Sequence, residues 1–359
     1  MLRIGIVGLP QTGKTTLFQI LTRTHGGAGT GRQEARVGVV RVPDARLDRL
    51  IAMFKPVKHV YATIEYMDMP GSVIELARTG AQSQALRELD ALVHVVRAFE
   101  NEAVPSEAGS VDPKRDIENV ELELILSDLA VVEKRLERLE KDIKKQKNPA
   151  LEKEQQVLTV CKAALEKQTP LRELELSAED LKVIRGFTFL SLKPMLYVLN
   201  LGEGDASKAN VAEQFAAQAG LKQRLRTGVS AICGKVEAEL AEMSDADAAE
   251  FMQSYGLKES ATSRLINASY QLLGLISFFT VGEDECRAWT IRAGMTAMEA
   301  AGEIHTDIQR GFIRAEVTKY DDLIETGGFA EARLRALLRL EGKEYIVHDG
   351  EIVHFRHAS

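Results

Sequence analysis

The run Gly8-Leu9-Pro10-Gln11-Thr12-Gly13-Lys14-Thr15 fits GxxxxGK[ST] without deviation. That spacing suits a nucleoside triphosphate: glycines let successive backbone N–H groups turn inward around the phosphates, and a following helix adds positive potential at its N-terminus. Gly8, Pro10, Gln11, Thr12, Gly13, Lys14, Thr15 and Thr16 are therefore the candidate nucleotide-binding residues. Lys14 is expected to reach the β- and γ-phosphates as a catalytic group, and the Thr15 hydroxyl to ligate Mg²⁺. A second element, Asp68-Met69-Pro70-Gly71, ends an apolar run with DxxG. Asp68 is the second candidate Mg²⁺ residue there, and the Gly71 amide is the candidate sensor of the γ-phosphate, also catalytic. A third, Asn200-Leu201-Gly202-Glu203, follows the run Met195 to Leu199, and Ser230-Ala231 follows another short run. Asn200, Glu203, Ser230 and Ala231 are candidates for contact with the base, because ligands of parallel α/β sheets gather at the carboxyl ends of strands. Each of these later motifs alone also reads as a plain turn; their order gives them meaning.

Such motifs need a sheet to hold them. Leu2 to Val7, Ala62 to Met67, Ala91 to Ala98 and Lys193 to Asn200 read as strands, with helical patterns at Thr15 to Thr24, Ser72 to Arg87 and about Lys208 to Gly220. Strands separated by helices imply crossovers and a mainly parallel sheet covered on both faces. From about Glu118 the pattern changes, and Leu122, Ile125, Leu129, Val132, Leu136, Leu139 and Ile143 recur at alternating steps of three and four. That spacing predicts a long helix with a narrow apolar seam. Lys147-Asn148-Pro149 should break it, and Leu151, Leu158, Cys161 and Leu165 mark a second helix folding back on the first. Lys141, Lys144, Lys145 and Lys147 crowd the tip, as a phosphate contact or simply a solvated end. From Ile276 the texture turns strand-rich, with runs Ile276 to Val281, Ala288 to Ile291, Ile313 to Thr318, Tyr345 to Val347 and Ile352 to Phe355 around a helix at about Thr296 to Ile304.

Composition narrows the class. Hydrophobic residues make up 45% and charged residues 28% of the 359, which fits packed domains and not disorder. No apolar stretch is long enough to cross a bilayer and no signal-peptide layout opens the chain, so the cytoplasm is expected. Cys161, Cys233 and Cys286 are far apart without CxxC or CxxH, which supports neither disulfides nor zinc. A net charge of −7 gives no global attraction to nucleic acid or anionic lipid, so neither a membrane nor sequence-specific DNA is expected as a partner.

The order of motifs resembles a TRAFAC-type G domain, and the details resemble the YchF/Obg-like ATPase family. The stretches concerned include Gly5-Ile6-Val7-Gly8-Leu9-Pro10, Val37 to Asp44, Val93-His94-Val95-Val96-Arg97-Ala98-Phe99-Glu100, Glu133 to Leu136 and Arg287-Ala288-Trp289-Thr290-Ile291. Ala301 to Asp307 and Gly311 to Val317 are similar to that family's TGS domain. The resemblance implies an α/β P-loop NTPase fold (G domain) at 1–115 and 185–275. It also implies an inserted antiparallel coiled-coil hairpin at 116–184 and a C-terminal α+β β-grasp (TGS, ubiquitin-like) domain at 276–359. It further implies slow, Mg²⁺-dependent hydrolysis of ATP, with ATP preferred over GTP, and contact with the ribosome or RNA. In that family NxxE replaces NKxD, and Asn200 to Glu203 fits NxxE; displacing the aspartate that accepts guanine's N1 and N2 protons relaxes the demand for GTP.

Three departures bear on hydrolysis. Ser72 follows DxxG where the family carries a hydrophobic residue; the loop at Ala103 to Gly109 offers Ser106 and Glu107 but no histidine; and the segment His25 to Glu34 is glycine-rich, with Thr30 and Arg32 as its candidates for metal and phosphate. A non-hydrolysing nucleotide sensor and a GTPase with altered base recognition therefore stay open. Ser277 to Ser359 holds 10 Lys/Arg against 15 Asp/Glu, which argues against unaided phosphate-backbone binding by that part. His94 reads as a core residue; His305 reads as a fold or partner contact, and His348, His354 and His357 lack a metal-ligand spacing.

Overall fold

The computed structural model describes residues 2–24, 35–78, 80–106, 109–146, 148–206, 208, 210–254 and 259–358. In chain order its elements begin β1 (Arg3–Val7), α1 (Lys14–Thr22), β2 (Arg36–Arg41), α2 (Ala45–Phe54), β3 (Lys58–Val60), β4 (Thr63–Asp68), α3 (Val73–Arg78), α4 (Gly80–Arg87) and β5 (Ala91–Ala98). They continue with α5 (Pro113–Lys145), α6 (Pro149–Glu166), α7 (Ala178–Ile184), β6 (Met195–Leu201), α8 (Val211–Gln218), β7 (Thr227–Ile232), α9 (Gly234–Glu242), α10 (Asp245–Ser254) and α11 (Ala261–Leu272). Last come β8 (Leu275–Val281), β9 (Glu285–Arg292), α12 (Ala297–Ile304), α13 (Thr306–Arg310), β10 (Phe312–Thr318), α14 (Tyr320–Thr326), α15 (Phe329–Leu334), β11 (Arg339–Glu341) and β12 (Ile352–His357).

Contacts divide the chain into two units, Met1–Gly38 with Glu65–Ala268, and Val39–Ile64 with Ser269–Ser359. This differs from the expected boundaries at three places: 39–64, which carries α2 and β3, leaves the first unit, 116–184 stays within it, and the second unit resumes at Ser269 instead of at 276. The reason is non-local pairing. β3 runs parallel to β9, with Lys58, His59 and Val60 opposite Glu285, Cys286 and Arg287. Leu47 and Leu50 of α2 are fully buried, and Arg46 pairs with Asp349 at 2.8 Å while lying over the Phe279 ring.

In the first unit the sheet order is β2-β4-β1-β5-β6-β7. β4, β1, β5, β6 and β7 pair in parallel, so the ends that carry Val7, Asp68 and Asn200 share one edge. β5 and β6 are buried almost throughout, as their continuous apolar runs require of strands covered on both faces. Asp112 caps α5 by accepting from the Arg115 N–H at 3.1 Å. Asn148 caps α6 by accepting from Ala150 at 2.9 Å, which makes Pro149 the start of a helix whose first N–H is spared. The two helices bury one seam, Ile125, Val132 and Leu139 against Val157, Leu158, Cys161 and Leu165. Arg135 clamps Glu154 at 2.7 and 2.8 Å alongside it. At the base of α5, Asp128 is fully buried and accepts from the Leu190 and Ser191 amides at 3.0 and 2.7 Å.

In the second unit the order is β11-β10-β12-β8-β9-β3, a mixed sheet. Thr296 opens α12 through a capping box with Glu299. Tyr345 to Val347 does not form the expected strand; Ile346 makes an isolated bridge to Thr296, and the edge position beside β10 is taken by Arg339–Glu341. α13, α14 and α15 join α12 where one helix was expected.

Candidate nucleotide-binding site

The loop after β1 is shaped for an anion. Gly13 has φ 95° and stands at the N-terminus of α1 with no side-chain cap, leaving the first-turn N–H groups for a ligand. A Cβ there would come within 2.4 Å of the Asn200 amide nitrogen, and one on Gly8 within 2.6 Å of the Val95 carbonyl, so both close approaches require glycine. Lys14 reaches back over the loop, its Nζ donating to the Gly8 and Leu9 carbonyls at 3.2 and 2.7 Å. Thr12 is buried and donates to the Leu9 carbonyl at 3.1 Å, bracing the turn, whereas Pro10, Gln11, Thr15 and Thr16 are exposed.

The parallel pairing of β1 and β4 brings Asp68 to this loop, where the Thr15 hydroxyl donates to its Oδ2 at 3.1 Å. Asp68 is 6% exposed, and burial raises its carboxyl above the ordinary pKa against the pull of the Thr15 hydrogen bond, Arg36 and Lys14. A buried carboxylate beside a hydroxyl is a fitting donor pair for a hard divalent cation that takes its remaining ligands from phosphate and water. Among the described residues no group of three or more His, Cys, Asp or Glu forms a separate metal cage. Pro10, Lys14, Thr15, Asp68, Gly71 and Ser72 line one cleft of about 490 Å³, joined by two residues that sequence reasoning missed, Arg36 and Glu75. Arg36 was hidden by the absence of any motif around it. Glu75 was legible as the end of Ser-x-x-Glu, because Ser72 accepts from the Ile74 N–H at 3.3 Å while Glu75 Oε2 accepts from the Ser72 N–H at 3.4 Å.

Asn200 works as a bracket. Its Nδ2 donates to the Thr12 carbonyl at 3.0 Å and its Oδ1 accepts from the Gly234 N–H at 3.0 Å, tying the phosphate loop to the start of α9. Ser230 and Ala231 lie near the end of β7, opposite Val198 and Leu199, and the amide that meets Asn200 is that of Gly234 just beyond the strand. Glu203 is exposed and bound to Lys235 Nζ at 2.5 Å. His94 is fully buried in β5, its ring edge-on to Tyr197 at 5.7 Å, and burial with Lys14 pushes its pKa down to about 3. His305 caps α13 by accepting from the Asp307 N–H at 3.2 Å, a structural task. Thr30, Arg32, Glu107 and Lys147 lie outside the described residues.

A family model described as 50S ribosome-binding GTPase matches residues 3–163, and the YchF GTPase C-terminal model, described as a protein of unknown function, matches 275–358. The chain is 41% identical over 364 residues to the ribosome-binding ATPase YchF of Bacillus subtilis, covering 99% of each. It is 40% identical over 360 residues to that of Escherichia coli O157:H7, covering 98% of each. The structure of the Schizosaccharomyces pombe YchF GTPase matches with a TM-score of 0.84 at 29% identity, over 99% of this chain and 97% of that one. With a phosphate loop, an Asp68 beside Thr15 and full-length likeness in both sequence and structure, the chain belongs to the YchF family.

Proposed function

We propose that this chain is a Mg²⁺-dependent purine-nucleotide switch protein that hydrolyses ATP slowly, prefers ATP to GTP and acts on the ribosome in the cytoplasm. The observation that carries the reading is the meeting of Thr15 with Asp68 at 3.1 Å beside a loop whose lysine lies across it. On this reading Lys14 neutralises the β- and γ-phosphates, and the Gly71 amide bonds the γ-phosphate only while it is present. Thr15 and Asp68 hold the Mg²⁺, which when bound screens phosphate charge. Gly8, Pro10, Gln11, Thr12, Gly13 and Thr16 complete the cradle, and Asn200 fixes the base end. The Asn-x-x-Glu spacing of Asn200 and Glu203 supports ATP, since it displaces the aspartate that would accept both guanine donors.

Relatives named ribosome-binding ATPases supply the partner. The paired helices α5 and α6, as an inserted coiled-coil hairpin, and the C-terminal unit, as a TGS β-grasp domain, are the contact surfaces proposed. The exposed Lys141, Lys144 and Lys145 at the end of α5 support RNA-phosphate contact there. Titration calorimetry with ATP, GTP and their diphosphates, with and without Mg²⁺, tests the binding. Phosphate release by wild type against Lys14→Ala tests the turnover. No affinity for any purine triphosphate overturns the proposal. Tight binding with release at the Lys14→Ala level leaves a sensor that recruits a partner without hydrolysis, a reading that Ser72, turned onto its own helix, supports. A large preference for GTP makes it a GTPase with altered base recognition.

A further inference from the structure

Neither position expected to hold the attacking water sets a side chain aside for it. The Ser72 hydroxyl accepts the Ile74 N–H at 3.3 Å, and Ser106, in the loop where the family pattern places a histidine, donates to the Ser110 carbonyl at 3.0 Å. The carboxylates lining the cleft are engaged as well, Asp68 by the Thr15 hydroxyl and Glu75 by the Ser72 amide. What the cleft does offer is positive charge, and the transition state of phosphoryl transfer spreads negative charge over the γ-phosphoryl oxygens. Lys14 and Arg36 are the cations lining it. Lys14 belongs to the phosphate loop, whereas Arg36 comes from outside every motif, as the first residue of β2. That strand lies beside β4, whose last residue is Asp68. Burial raises the Asp68 pKa, and the charge of Arg36 is close enough to pull it back. Among the described residues the Arg36 guanidinium nevertheless has no hydrogen-bond or ion-pair partner. It is exposed on a cleft that also holds Gly71, and its planar fork of N–H donors matches two oxygens of one phosphoryl group.

Resting on the reading of this site as a nucleotide hydrolase, we infer that Arg36 is a catalytic residue that bonds the γ-phosphoryl oxygens and stabilises their charge in the transition state. The water oxygen forms a bond to the γ-phosphorus while the bond from that phosphorus to the β–γ bridging oxygen breaks, its electron pair leaving with the nucleoside diphosphate. One proton of that water passes to a phosphate oxygen, giving dihydrogen phosphate, which equilibrates with solvent. Arg36 keeps its own proton throughout and acts by charge and geometry alone. The competing role is that of an ordinary surface cation. Arg41, at the other end of the same strand, supplies the comparison, since it is exposed too but does not line the cleft.

The test measures single-turnover phosphate release at saturating Mg²⁺ and ATP, together with ADP affinity by calorimetry, in full-length wild type, Arg36→Ala, Arg41→Ala and Lys14→Ala. The inference expects Arg36→Ala to release phosphate roughly a hundredfold more slowly than wild type, the low end of what one lost transition-state donor costs, at an ADP affinity within about twofold. Arg41→Ala should match wild type in both. An Arg36→Ala rate equal to wild type, with wild type clearly above Lys14→Ala, overturns the inference alone. An equal slowing in Arg41→Ala also overturns it, because the effect is then one of net charge. So does a rate that higher Mg²⁺ restores, since Arg36 then acts through the metal site at Asp68, and so does a loss of ADP affinity as large as the loss of rate, since Arg36 then shapes the cradle. Wild type no faster than Lys14→Ala overturns the hydrolase reading and this inference together.

Discussion

At the scale of single residues, His94 offers the sharpest test of how the site is built. Neither ring nitrogen has a hydrogen-bond partner among the described residues, and the folded-state pKa is pushed down to about 3 by burial and then by Lys14. A histidine in the unfolded chain titrates near about 6.5, so between those values the unfolded state binds a proton that the folded state refuses. Stability is therefore intact above about pH 7 and is lost as the pH falls through the unfolded value. From about pH 7.5 to about pH 5 this one residue should remove about 2 kcal/mol. Urea unfolding at the two pH values should show that loss in wild type and a clearly smaller one in His94→Leu; equal losses in both would place the acid sensitivity elsewhere. The phosphate loop was legible because its residue types are dictated by close approach, as Gly8 and Gly13 show. Gly234 and Lys235 were not, because what they meet, Asn200 and Glu203, belongs to the end of another strand far off in the chain.

At the scale of elements, α5 and α6 are where spacing and structure agree most closely. Every predicted seam residue from Ile125 to Ile143 packs with Leu151, Leu158, Cys161 and Leu165 in one cluster. A period of three and four is a local property, and burial of the stripe against a neighbour follows from it. What the period could not show is how the base is fastened. The buried Arg172 meets Glu121, which also accepts from the Tyr197 hydroxyl at 2.5 Å, and these three residues are far apart in the chain. The seam makes a paired prediction. Leu158 is fully buried and Val160, two residues on, is 53% exposed. Leu158→Ala should cost about 2 to 5 kcal/mol of unfolding free energy, and Val160→Ala less than about 0.5 kcal/mol. Denaturant titration of both variants measures it, and similar costs at the two positions would mean that the helices do not pack by this stripe.

For the whole molecule the telling feature is a segment that the chain lends from its first third to its last. Reading domains along the sequence assigns 39–64 to the nucleotide domain, because composition carries no record of which strand completes a distant sheet. The structure instead uses β3 to extend the sheet beyond β9 and α2 to pack on β8 and β9. Leu47 and Leu50 of that helix are completely buried. At about 1.5 to 3 kcal/mol for each buried leucine, those two residues alone supply about 3 to 6 kcal/mol, comparable with the whole stability of a small domain. The C-terminal stretch on its own should therefore lack enough core to fold. A fragment of residues 269–359 is expected to give a poorly dispersed amide NMR spectrum and no cooperative thermal transition. The same fragment fused to residues 39–64 should recover both. Salt should weaken the recovered fold only modestly, since the Arg46–Asp349 pair is partly exposed and contributes less than the apolar face beneath it. A well-dispersed, cooperatively melting spectrum from 269–359 alone would show that the borrowed segment decorates this unit without completing its core.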